Sequence, residues 1–122
     1  MDHESFLDRI MDLDENIRYA TVCDMEGNQK AERKRNNVSF LLSPEETKET
    51  LQHAISAWKS RMKHYDKIGN GLYTLAAYEK LRRVTVPLKD DHILLVTIDT
   101  MGGQKDIVDR ILNQLYGDYT KY

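Results

Sequence analysis

The chain has 122 residues, with 18 Lys and Arg against 20 Asp and Glu, a formal net charge of −2. This balance argues against a dedicated nucleic-acid binder, which usually carries a strongly basic domain. With 40% hydrophobic and 31% charged residues, two prolines and six glycines, the composition excludes a disordered or low-complexity chain, and a length of this order fits one domain over residues 1–122.

Residues 3 to 16 are predicted as a helix, because Phe6, Leu7, Ile10, Met11 and Leu13 fall at spacings of three and four with acids on the remaining face. An acidic, amphipathic start is the wrong chemistry for a secretory or mitochondrial signal. No apolar run approaches the roughly 20 residues that span a bilayer, and Cys23, as the single cysteine, excludes an intrachain disulfide framework. The expectation is a cytoplasmic protein.

Residues 19 to 24 read as a strand buried on both faces, with Ala20 and Val22 on one side and Thr21 and Cys23 on the other. The turn Asp24-Met25-Glu26-Gly27-Asn28 follows, with Gly27 suited to a positive φ. The hairpin returns through residues 29 to 35, where Lys30, Arg33, Lys34 and Arg35 mark a charged, protected sheet edge. Residues 36 to 42 connect, with Val38, Phe40, Leu41 and Leu42 expected to pack on the body.

Ser43-Pro44-Glu45-Glu46 carries the signature of a capping box with proline in the first turn. The helix it starts is expected to reach Tyr65 or Ile68, with Leu51, Ala54, Ile55, Trp58, Met62 and Tyr65 as its apolar stripe and Gly69 and Gly71 at its end. Three strands follow in "GLYTLAAYEK", "RRVTVPLK" and "HILLVTID". Pro87 belongs at a strand end or bulge, and residues 93 to 98 belong mid-sheet under two layers. After Met101-Gly102-Gly103 a last helix buries Ile107, Val108, Ile111, Leu112 and Leu115 and stops at Gly117; residues 118 to 122 are expected to form a loose tail, with Tyr116, Tyr119 and Tyr122 crowding this end. The order α-β-β-α-β-β-β-α implies an α+β sandwich: a five-stranded, mainly antiparallel sheet with helices on both faces.

This order, the "TVCDMEGNQ" hairpin before a long helix, and "HILLVTID" before a terminal helix resemble the roadblock/dynein-light-chain superfamily, close kin to longin and profilin-like folds. The stretch "NIRYATVCDMEGN" is also similar to a hairpin in short archaeal proteins. The roadblock resemblance implies a non-enzymatic module that dimerises through edge strands and middle helices and binds small GTPases or scaffolds their regulators. Mapped onto this chain, it implies a homodimer edge of Leu72, Tyr73, Thr74, Leu75, Ala76 and Tyr78, with Ala54, Trp58 and Met62 nearby. The segment has no charge until Glu79, unlike residues 29 to 35, so it is the edge left open to pair. Arg33, Lys34, Arg35, Lys80, Arg82 and Arg83 would face a second partner or an anion, and the acidic first helix could do the same.

The search for chemistry is short. The phosphate-loop pattern G-x-x-x-x-G-K-[ST] does not occur. His3, His53, His64 and His92 show no metal-ligand spacing, Cys23 reads as a core residue, and neither a catalytic set nor a cofactor is expected. Trp58 is either a core residue or an interface anchor. Two rival readings stay open. One is a small-molecule sensor with Phe40, Trp58, Tyr65 and Tyr73 lining a pocket. The other is nucleic-acid binding through the basic hairpin tips, with Tyr73 and Tyr78 stacking on bases.

Overall fold

A computed structural model describes residues 2–36, 38–100 and 104–117. Helix α1 (His3–Met11) starts on Asp2, whose carboxylate accepts from the Glu4 and Ser5 amides. It ends five residues earlier than the apolar spacing suggests. Asp14 Oδ1 accepts from the Asn16 amide at 2.8 Å and turns the chain into the first strand. Arg35 reaches back to donate to the Met11 and Asp14 carbonyls, so the backbone groups freed at this helix end are satisfied by a side chain rather than by a further turn.

Strand β1 (Ile17–Asp24) pairs with β2 (Gln29–Lys34) through a turn in which Gly27 has φ +93°. Helix α2 (Pro44–Met62) carries the full capping box: Ser43 Oγ accepts from the Glu46 amide and Glu46 Oε1 from the Ser43 amide. The expected continuation to Ile68 is interrupted. Lys63 and His64 tighten to bonds three residues back, and a separate single turn, α3 (Tyr65–Ile68), follows before Gly69 at φ +89°. Strands β3 (Thr74–Ala77), β4 (Leu81–Leu88) and β5 (His92–Asp99) and helix α4 (Gln104–Tyr116) complete the order. The expected break at residues 101 to 103 and the tail from residue 118, with Tyr119 and Tyr122, lie outside the described residues.

The sheet order is β2-β1-β5-β4-β3, antiparallel throughout. Residues 93 to 98 of β5 are all buried, as strands covered on both faces must be. One face packs Ala20, Val22, Val84, Val86, Leu94 and Val96 against α1 and α4; the other packs Tyr19, Cys23, Ile93 and Leu95 against Leu51, Ile55 and Trp58 of α2. The β4–β5 turn puts Asp90 and Asp91 at φ 63° and 57°, the left-handed pair that a tight hairpin requires. Pro87 is the penultimate residue of β4. Its carbonyl takes the Tyr116 hydroxyl instead of a ladder amide, where β3 has already left the sheet. Among the described residues no helix is long and apolar enough to cross a membrane.

Trp58 is the pin of the α2 face. Its side chain is 1% exposed, its indole N–H donates to Thr85 Oγ1 at 2.9 Å, and the Arg61 guanidinium lies 4.9 Å above the ring. The chain leaving α3 passes so close that a Cβ on Gly71 would stand 2.4 Å from the indole. Replacing Gly71 by Ala is therefore expected to cost about 1–3 kcal/mol by overpacking. Urea denaturation followed by tryptophan fluorescence checks this, and an unchanged midpoint would contradict the packing described.

Candidate interaction surfaces

The two edges of the sheet differ in chemistry. On β2, Gln29, Lys30, Glu32 and Lys34 are exposed, a charged row that resists further pairing. On β3, Leu75, Ala76 and Ala77 are exposed and uncharged, flanked by exposed Tyr73 and by Tyr78 at 54% exposure. Between β3 and the outer side of α2 runs a groove of about 470 Å³, floored by Ala54, Ala57, Thr74 and Ala76 and rimmed by Glu49 and Arg61.

Of the residues expected at this edge, Tyr73, Leu75, Ala76 and Tyr78 are exposed, and half-buried Thr74 bonds to Thr85. Half-buried Ala54 reaches the groove. Leu72 lies off the strand and its carbonyl accepts from Tyr116. Met62 packs against the α2-side core. Of the two roles open to Trp58, the structure gives it the core one rather than that of an interface anchor: the ring is enclosed in this chain's own core. Ala57, Thr50 and Arg61 were missed, although Thr50-Ala54-Ala57-Arg61 has the spacing of one helix face.

The six expected cations do not form one surface. Adjacent strand residues point to opposite faces, so Arg33 turns to α1, where it meets Asp8 at 2.8 Å and Glu4 at 3.9 Å. Arg35 is spent on the backbone carbonyls of Ile17, Met11 and Asp14. Arg82 donates to the Tyr78 carbonyl, and Lys80 is exposed in the β3–β4 turn. Lys34 and Arg83, however, share the α2 face in one cross-strand row, Lys34–Tyr19–Thr97–Arg83–Ala76.

Arg18, which sequence reading passed over, joins them. The β1–β5 register slips between Ile17 and Tyr19, and this irregularity turns Arg18 to the α2 side, 3.4 Å from Asp99. Residues 38–42 then cross this end of the sheet as a strap. Arg18 donates to the Ser39 carbonyl at 3.1 Å and Lys34 to the Val38 carbonyl at 2.5 Å, and Phe40 meets Tyr19 edge-on at 5.3 Å. Phe40 and Leu41 were expected to pack on the body; instead they stand 53% and 50% exposed on the strap.

Elsewhere the chemistry is structural. Burial pushes the Cys23 thiol up to about 11. Tyr19 is pushed well above its usual range, first by burial and then by its bond to Glu32. The Asn28 backbone amide, the Asn28 side chain and the Glu26 amide hold the Asp24 carboxyl well below the usual carboxylate range, which locks the β1–β2 turn. The histidines do contain a pair: the rings of His3, at the start of α1, and His92, at the start of β5, lie 5.0 Å apart, tilted by 37°, a contact that sequence spacing cannot show. His3 is pushed down, first by burial and then by His92. No cluster of three or more potential metal ligands occurs among the described residues. The ligand pocket of the rival sensor reading, lined by Phe40, Trp58, Tyr65 and Tyr73, does not form. Phe40 sits on the strap, Trp58 in the core, Tyr65 at the opposite end of the sheet beside Leu72, and Tyr73 at the edge.

Neither a family model nor a curated protein matches the sequence. Solved structures do match in shape. The gliding protein MglB from Thermus thermophilus superposes with a TM-score of 0.74 at 9% identity, covering 97% of this chain and 88% of that one. MglC from Myxococcus xanthus gives 0.60 at 14% identity over 93% and 95%. A Roadblock/LC7 domain from Streptomyces avermitilis gives 0.59 at 10% identity over 88% of each. The chain thus has a roadblock-like fold.

The burial of Cys23 makes a direct prediction. A thiol reagent at pH 8 should label the folded protein only at the rate of unfolding, and labelling at the rate of a free thiol would place Cys23 outside the core. With the folded pKa above the ordinary 9.0, the neutral thiol's contribution to stability is complete below that pH and lost as pH rises through about 11.

Proposed function

We propose that this chain is a non-enzymatic scaffold that forms a homodimer through β3 and the adjoining face of α2, as a single roadblock-like domain over residues 1–122 in the cytoplasm. The observation that carries this reading is the contrast between edges: one charged, the other uncharged and bordered by a small-residue groove. An exposed, uncharged edge strand is a template for pairing that proteins otherwise suppress. On the outer face of α2, Thr50, Ala54, Ala57 and Arg61 are spaced symmetrically about a point between Ala54 and Ala57, the pattern that an isologous contact between two antiparallel copies of this helix needs. One structure similar to this chain, at 11% identity and a TM-score of 0.73, is described as MglB with a tetrameric arrangement.

The roadblock resemblance adds a regulatory role, with a small GTPase or its regulatory complex as the second partner. Nucleic-acid binding is not favoured. Arg33 is paired with α1 carboxylates and Arg35 with carbonyls, and the remaining cations are divided between two faces. Light scattering over a wide concentration range should give twice the 14.3 kDa chain mass. Ala76→Lys, which puts a charge on the β3 edge, should shift the protein to monomer with its far-UV circular dichroism unchanged. A wild-type monomer at every concentration would remove this interface.

A further inference from the structure

We infer that the strapped end of the α2 face is a binding site for a phosphate group carried by a small molecule with an apolar portion. The space lies between the strap of residues 38–42 and the ends of four strands, and encloses about 40 Å³. At roughly 10–15 Å³ per water, it holds a few waters or one oxyanion group. Its lining contains three cations, Arg18, Lys34 and Arg83, against one carboxylate just outside it, Asp99, which pairs with Arg18 at 3.4 Å. In a protein of net charge −2, that local excess is a property of the site and not of the surface at large.

Three features distinguish this space from a solvated basic patch. First, the cations come from three different strands, β1, β2 and β4, and a register irregularity is what brings Arg18 to this side. Donors converging from separate directions suit a tetrahedral dianion better than a planar monoanion, and guanidinium forks match phosphate oxygens in pairs. Second, Arg83 Nε is buried and finds no acceptor among the described residues. A buried, charged donor without an acceptor is costly, and a phosphate oxygen would satisfy it. Third, Lys34 is held by the neutral Val38 and Arg35 carbonyls, and Arg18 by the neutral Ser39 carbonyl on one side and by Asp99, at 3.4 Å, on the other. The neutral carbonyls form the weaker hydrogen bonds and give way to a charged acceptor. The Tyr19 and Thr97 side chains lie between the cations, and Phe40 and Leu41 offer an apolar rim for the rest of the ligand.

The test uses the full chain and inorganic phosphate, with sodium chloride and sodium acetate at matched ionic strength as controls. Phosphate should raise the melting temperature above both controls. Amide resonances of residues 38–42 and 83 should move on titration. Arg83→Met should weaken phosphate binding at least tenfold, Lys34→Met should weaken it as well, and Arg33→Met, on the opposite face, should leave it unchanged. If Arg83→Met fails to fold, Lys34→Met and the resonance map decide. Equal shifts with chloride or acetate, or wild-type affinity in the Lys34 and Arg83 variants, would overturn the assignment. Arg83 also lines the groove beside β3, so the Lys34→Met variant and the resonances of residues 38–42, which lie outside that groove, separate this assignment from the homodimer.

Discussion

Everything in this fold depends on a strand that water touches on neither side. From Ile93 to Ile98 each residue of β5 is buried, and such a strand has to be covered twice. α1 and α4 close one face, α2 the other, and β1 and β4 flank it by backbone pairing. With β1 and β5 in the middle, the charged hairpin arm β2 becomes one rim and the short strand β3 the other. The contrast between a guarded edge and an open one therefore follows from which strand is most apolar, not from any feature local to the edges. Burying apolar surface is worth roughly 25 cal/mol per Å², and both faces of β1 and β5 share in it.

The α2 face is held by fewer and more specific contacts than the α1/α4 face. Trp58, Thr85 and Thr74 form a hydrogen-bonded line from the helix through β4 to the edge strand. This line fixes the distance between α2 and β3, and so the width of the groove between them. The same tryptophan that is unavailable as an interface anchor determines the shape of the surface next to it. A residue can shape recognition from inside the core without touching a partner.

Much of this was legible in the sequence. The buried character of β1 and β5, the capping box at Ser43, the guarded rim read at residues 29 to 35 and formed by Gln29–Lys34, and the exposed β3 segment all follow from local patterns. What was not legible depended on partners far along the chain. The end of α1 is decided by Arg35 and by Asp14, which apolar spacing does not register. The break at Lys63 and His64 has no proline or glycine to announce it. The His3–His92 contact joins residues 89 positions apart, and only the folded sheet end brings them together. The division of the cations was half-readable. Arg33 and Lys34 are consecutive in a strand and must point to opposite faces, so reading them as one surface overlooked the two-residue period.

That same period explains why a chain with slightly more acids than bases presents a cationic end. The acids of α1 lie over one face of the sheet, where Asp8 and Glu4 take up Arg33. On the other face α2 begins beyond the strap, and Glu46 in its first turn is turned back to the cap at Ser43. Lys34 and Arg83 are brought into one row by strand register, and Arg18 is turned to the same side by the irregularity at Ile17. There Arg18 meets Asp99 and the Ser39 carbonyl, and Lys34 the Val38 carbonyl. Charge on this molecule is thus sorted by sheet face rather than by position along the chain, and the imbalance is concentrated where residues 38–42 cross over it.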